Sequence, residues 1–102
     1  MVVYEVRVEV RPDLVPAFEA YMRGKHLPEI LATGCFTGIR FERQTEGTDG
    51  PVFRSRYEAP DRAAVDRYLA DHTPAFRADV LAHFPEGCAV SREIWDEVAR
   101  FG

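Results

Sequence analysis

The residues of this 102-residue chain that could do chemistry are three histidines, two cysteines and a set of strand-borne arginines. His26 lies three residues before Glu29, a spacing that puts both on one face of a helix. A histidine beside a carboxylate can act as a general base with a raised pKa. The same position suits a helix-end histidine that serves carbonyls freed by Pro28. His72 follows Asp71 and precedes Thr73-Pro74. It is a second acid–base candidate, with a plain helix-break role as the competing explanation. His83 falls in a last helical turn, where a cation is welcome, and needs no further role. The catalytic candidates are therefore His26, Glu29 and His72. Arg7, Arg40, Arg54 and Arg56 are the ligand-binding candidates, because a guanidinium fork matches carboxylate and phosphate oxygens. Cys35 and Cys88 lack the paired spacing of a zinc site, and no neighbour lowers either thiol pKa. Metal-ligand, phosphate-loop, nucleophile-elbow and dinucleotide patterns are missing, so no metal and no cofactor are expected.

These residues must be positioned by local elements. Residues 2–11 alternate strictly, with Val2, Tyr4, Val6, Val8 and Val10 on one face and Glu5, Arg7, Glu9 and Arg11 on the other. That is a strand with one buried face. Pro12-Asp13 ends it, and Asp13 is a candidate N-cap. Leu14, Val15, Phe18, Tyr21 and Met22 then repeat at helical spacing. Pro28 removes a hydrogen bond to Gly24 and crowds its carbonyl, so a kink or break is expected at 24–28. Ile30 and Leu31 resume the apolar face, and Gly34 is the C-terminal cap.

Residues 35–46 and 51–59 read as two strands of a hairpin around Gly47-Thr48-Asp49-Gly50. Ile39, Phe41, Phe53 and Tyr57 mark the inner side. A second helix opens at Pro60-Asp61 and carries Val65, Tyr68, Leu69, Phe76, Val80, Leu81 and Phe84. Thr73-Pro74 reads as an N-cap with proline at the first position, so this helix breaks and restarts. Residues 88–98 form the last strand. Arg92-Glu93 disturbs its alternation, which implies a bulge or an edge position.

The halves echo each other. His26-Leu27-Pro28 before Gly34-Cys35 matches His72-Thr73-Pro74 before Gly87-Cys88. The whole is an α+β, ferredoxin-like βαββαβ domain over residues 1–102, with a four-stranded antiparallel sheet in the order 4-1-3-2 and two interrupted helices on one face. This topology separates Cys35 from Cys88 by three strand spacings, roughly 14 Å, too far for a disulfide. It also holds His26 and His72 apart.

The net charge of −4 weighs against nucleic acid. An RNA-binding βαββαβ module is disfavoured further because the central strands offer few exposed aromatics. No apolar run spans a bilayer and no export signal opens the chain, so a cytoplasmic location with free thiols is expected.

The segments Val3-Tyr4-Glu5-Val6, His26-Leu27-Pro28-Glu29-Ile30-Leu31-Ala32-Thr33-Gly34-Cys35-Phe36, Tyr57, and Arg67-Tyr68-Leu69 through Phe76-Arg77 resemble the short bacterial proteins grouped as domain-of-unknown-function family 4286. The resemblance implies a fold related to the dimeric α+β barrels. It brings no catalytic residues, because that family has no established activity. The tryptophan and asparagine pattern of the haem-degrading members of the wider group is not evident.

Two functions remain open. In one, two open sheet faces pair in a homodimer and enclose a polar cavity for a small anionic organic ligand, with or without catalysis. Trp95 and Phe101 are then candidates to pack across the interface, or else to finish the chain's own core. In the other, the chain is a non-catalytic homodimeric interaction module that uses the open face or an edge strand. A domain this small buries only about two-thirds of its unfolded surface and gains from pairing.

Overall fold

The first strand, β1 (Val2–Val10), runs up the middle of the sheet. It pairs antiparallel with β3 (Val52–Ala59) on one side and β4 (Cys88–Asp96) on the other. β2 (Gly38–Arg43) completes the sheet outside β3, giving the order β2-β3-β1-β4. This is the expected 4-1-3-2 arrangement read from its other edge. The computed structural model describes all residues, 1–102.

Helices α1 (Val15–Tyr21), α2 (Leu27–Leu31), α3 (Arg62–Asp71) and α4 (Thr73–His83) lie on the face that carries Tyr4, Val8, Phe53 and Tyr57. Aromatic rings dominate the layer between. Phe18 meets Phe53 at 5.3 Å and Phe84 at 5.8 Å between centroids, and Phe36 sits 4.9 Å from Tyr68. Such pairs add roughly 0.5–1.5 kcal/mol each beyond their buried area.

Several boundaries differ from the sequence reading, each for a local reason. β2 spans Gly38–Arg43 rather than 35–46. Cys35 and Phe36 leave the ladder and turn into the core, where Phe36 packs on Tyr57. β1 ends at Val10 and β4 at Asp96. Asp13 does not cap α1: it pairs with Arg11 at 2.6 Å within a short 3-10 turn, Pro12–Leu14. Thr73 is not an N-cap either. It is the first residue of α4, and its hydroxyl donates back to the Tyr68 carbonyl at 3.3 Å. The β1–β4 register runs unbroken from Val2↔Asp96 to Val10↔Cys88, so Arg92-Glu93 marks an edge strand and not a bulge. Other readings hold. Gly34 takes φ +77° after α2, and the Asp61 side chain accepts from the Ala64 N–H at 2.9 Å.

The expected break at 24–28 is instead a wide turn. Met22–His26 is π-helical, and the Leu27 N–H donates to the Met22 carbonyl five residues back. Proline lacks an N–H and its ring crowds the carbonyl four residues before it. Widening the turn moves the Gly24 carbonyl off that position and keeps α1 and α2 one continuous rod.

The Asp61 cap gives a simple check on the second helical arm. Asp61→Ala should lower the unfolding free energy by about 1 kcal/mol in a urea titration, and Asp61→Asn should recover most of it.

Candidate functional site

The wide turn decides where His26 points. Five residues of ordinary α-helix leave two side chains roughly 140° apart around the axis. The π turn brings Tyr21 and His26 onto one side, where their rings stack at 5.4 Å with planes 22° apart. His26 is consequently buried, at 9 % exposure, while its neighbours Arg23, Gly24 and Lys25 stay outside.

A chain of polar contacts fixes it there. The Tyr21 hydroxyl donates to Asp79 Oδ2 at 2.6 Å, and Lys25 Nζ donates to the same oxygen at 2.8 Å. Tyr21 has one proton and has spent it on Asp79. Its oxygen therefore accepts from His26 Nδ1, 3.4 Å away. A neutral imidazole that donates from Nδ1 has a lone pair at Nε2.

That imidazole lines a cavity of about 280 Å³ between the helices and the β1–β4 side of the sheet. Tyr4, Tyr57, Tyr68, Phe76, Val80 and Phe84 are among the residues of its apolar wall. The cavity exists because β4 is only partly covered: Val90 and Leu81, both in its lining, are exposed. An apolar hollow with few polar groups is the usual form of a small-molecule site.

The electrostatics follow from burial. Desolvation pulls the His26 pKa down to about 4; the charges of Asp79 and Glu29 oppose this without overcoming it. This reverses the expected raised value: Glu29 is exposed and pairs with Lys25 at 3.4 Å, and its charge does not offset the burial of the imidazole. The Lys25 ammonium and the Tyr21 hydroxyl hold Asp79 below the usual carboxylate range. Tyr21, Tyr57 and Tyr68 are all pushed up, chiefly by burial, and stay protonated. Burial also raises the thiol of Cys88, which lines the cavity.

The other sequence candidates lie elsewhere. His72 stacks on Tyr68 at 6.2 Å, in the break between α3 and α4, outside the cavity lining. Arg7, Arg40, Arg54 and Arg56 sit on the open face of the sheet, as strand alternation requires. There they are engaged by carboxylates: Arg7 by Glu9 at 3.0 Å, Arg40 by Glu58 at 3.3 Å, Arg54 by Glu42 at 2.9 Å and Arg56 by Glu5 at 3.0 Å. Arg7 and Arg54 border a polar pocket of about 420 Å³ on that face. Cys35 and Cys88 are both free thiols. No three His, Cys, Asp or Glu side chains come together in a geometry that could hold a metal ion. No helix is long and apolar enough to cross a membrane.

Sequence reasoning missed Tyr21 and Asp79 as the partners of His26. Tyr21 has the signature of an ordinary core residue, and Asp79 is 53 positions beyond His26. Only the packing of α4 on the π turn reveals the pairing.

A four-stranded antiparallel sheet in this order, with all helices on one face, defines a ferredoxin-like α+β protein. Solved structures agree. An ethyl tert-butyl ether degradation (EthD) family protein from Bacillus halodurans matches with a TM-score of 0.67 at 15% identity, over 96% of this chain and 100% of the other. A dimeric ferredoxin-like protein from an uncultured marine organism matches at 0.66 and 14%, over 98% and 97%. A proposed antibiotic biosynthesis monooxygenase from Deinococcus radiodurans matches at 0.66 and 12%, over 100% and 97%. At these identities the likeness establishes the fold alone. No curated protein is significantly similar in sequence. Within the fold the chain belongs to the domain of unknown function family DUF4286, whose pattern matches residues 1–98.

The depressed His26 pKa has a signed consequence. Between about pH 6.5 and 4 the unfolded imidazole takes up a proton that the folded one refuses. Stability should therefore be full above pH 6.5 and fall as the pH drops to 4, by up to roughly 3 kcal/mol from this group. Urea titrations across that window should show the slope, and His26→Asn should flatten it.

Proposed function

We propose that this protein is a homodimer that binds a small, mainly apolar organic molecule in the cavity beneath its helices, with His26 Nε2 accepting a hydrogen bond from the ligand. The observation that carries the reading is an aromatic-walled cavity bordered by an imidazole whose other nitrogen is already committed to Tyr21. Magnitude decides between binding and proton transfer. An imidazole held at about 4 is a good acceptor at neutral pH but a weak base. Binding is therefore the role the geometry supports best.

The test is a titration with 2-naphthol, an apolar ring with one hydroxyl donor, followed by ¹⁵N NMR. The His26 Nε2 resonance should move as the probe binds. His26→Phe should weaken binding about 2- to 10-fold, the worth of one neutral hydrogen bond. Saturation without any change at Nε2 would sink the acceptor role.

The homodimer rests on the open face. Trp95 lies beside Val3 in the β1–β4 register and is 51 % exposed. A large aromatic at the edge of an ion-paired sheet suits a contact with a second copy. Sedimentation at micromolar concentration should give a dimer, and Trp95→Arg should raise the dissociation constant at least about tenfold. A wild-type monomer under those conditions would remove this part of the reading.

A further inference from the structure

Most cations of this protein are neutralised by a nearby acid. Arg7, Arg11, Lys25, Arg40, Arg54, Arg56, Arg62 and Arg100 each have a carboxylate within 4.0 Å. Arg23, Arg43, Arg67, Arg77 and Arg92 have none, and of these Arg77 and Arg92 line the cavity. They reach it from different elements. Arg77 sits one turn after Thr73 and one before Val80 on α4, among residues that share the lining. Arg92 occupies an inward position of β4, in the row Cys88, Val90, Arg92, Ile94 that faces the helices. Its neighbour Glu93 alternates to the open face opposite Glu5 and cannot serve it.

The two cations share one cavity lining with Tyr57 and Tyr68, whose rings are 6.3 Å apart. An inward charge on an edge strand can serve merely to discourage sheet-to-sheet aggregation. That explanation covers Arg92 and does not extend to Arg77, which lines the same cavity from α4.

We propose that the cavity receives an apolar carboxylic acid, its ring or chain against the aromatic wall and its carboxylate between Arg77 and Arg92. The proposal rests on the cavity-binding reading above and names the ligand class for it. Guanidinium groups suit a carboxylate because their paired N–H donors match its two oxygens. A mouth with two unpaired cations and an apolar interior selects molecules that are charged at one end only.

The experiment compares 2-naphthoate with 2-naphthamide, its uncharged counterpart of the same shape, by calorimetry at fixed ionic strength. The wild-type protein should bind the acid at least about tenfold tighter than the amide. Arg77→Gln and Arg92→Gln should each remove most of that preference. Both sites are at the surface, and amide affinity within about twofold of wild type would show the cavity intact in each variant. Equal affinity for acid and amide would overturn the carboxylate proposal and leave the cavity reading standing. A preference that survives both substitutions would also overturn it, by moving the carboxylate elsewhere. Failure of both compounds to bind, with cavity resonances unmoved in NMR, would bring down the cavity reading and this proposal with it.

Discussion

A single missing hydrogen bond organises the site. Pro28 has no N–H to give and no room for the carbonyl four residues before it. The chain answers with one wide turn at Met22–His26 rather than with a break. Without that turn, Tyr21 and His26 would lie on different sides of the helix. With it they stack, the Tyr21 hydroxyl reaches Asp79 on α4, and Lys25 closes the pair from outside. The same contacts tie the first helical arm to the second, so the element that aims the imidazole also braces the layer above the sheet.

The sheet contributes the opposite property, incompleteness. β1 and β3 are covered by helices, and their inner side chains are buried except Val6, which is half-buried and lines the cavity. β4 is an edge strand whose inner row stays partly open, and the hollow lies there. A core closed over β4 would bury more apolar area, at roughly 25 cal/mol for each Å². The fold forgoes that stabilisation where the cavity stands. Its aromatic wall is nonetheless well packed: the rings of Tyr4, Tyr57 and Tyr68 lie against one another, and Phe36 backs Tyr57 and Tyr68.

How much of this was legible in the sequence depended on the range of the interaction. Alternation in VVYEVRVEV gave β1 and its two faces, because strand geometry is local. Val3 is the exception: its position is on the polar side, yet it is buried beside Glu58 and Trp95. His26 stood out because Pro28 is near it in the chain. Its setting did not, since Asp79 and the α4 aromatics arrive from the other half of the fold. The sign of its pKa shift was misjudged for that reason: a carboxylate three residues away is visible in a sequence, and desolvation is not. Arg92 left a trace, a charge out of phase in the last strand, which reads equally well as a bulge until the register is known. Arg77 left none, because an arginine on a helix is commonplace and its lack of an acidic partner is a property of the folded surface alone.

The π turn also bears on how the helical arm would respond to a change in length. It holds one residue more than a regular turn would, without breaking the helix on either side. A chain with another residue at position 28 would be free of the proline ring's steric pressure and could do without the extra residue. In such a variant α1 and α2 would fuse into a regular helix, and the side chain presented to the cavity would come from the residues beside position 26. The fold could thus exchange the polar group at the base of its hollow by a one-residue change in length, with sheet and core untouched.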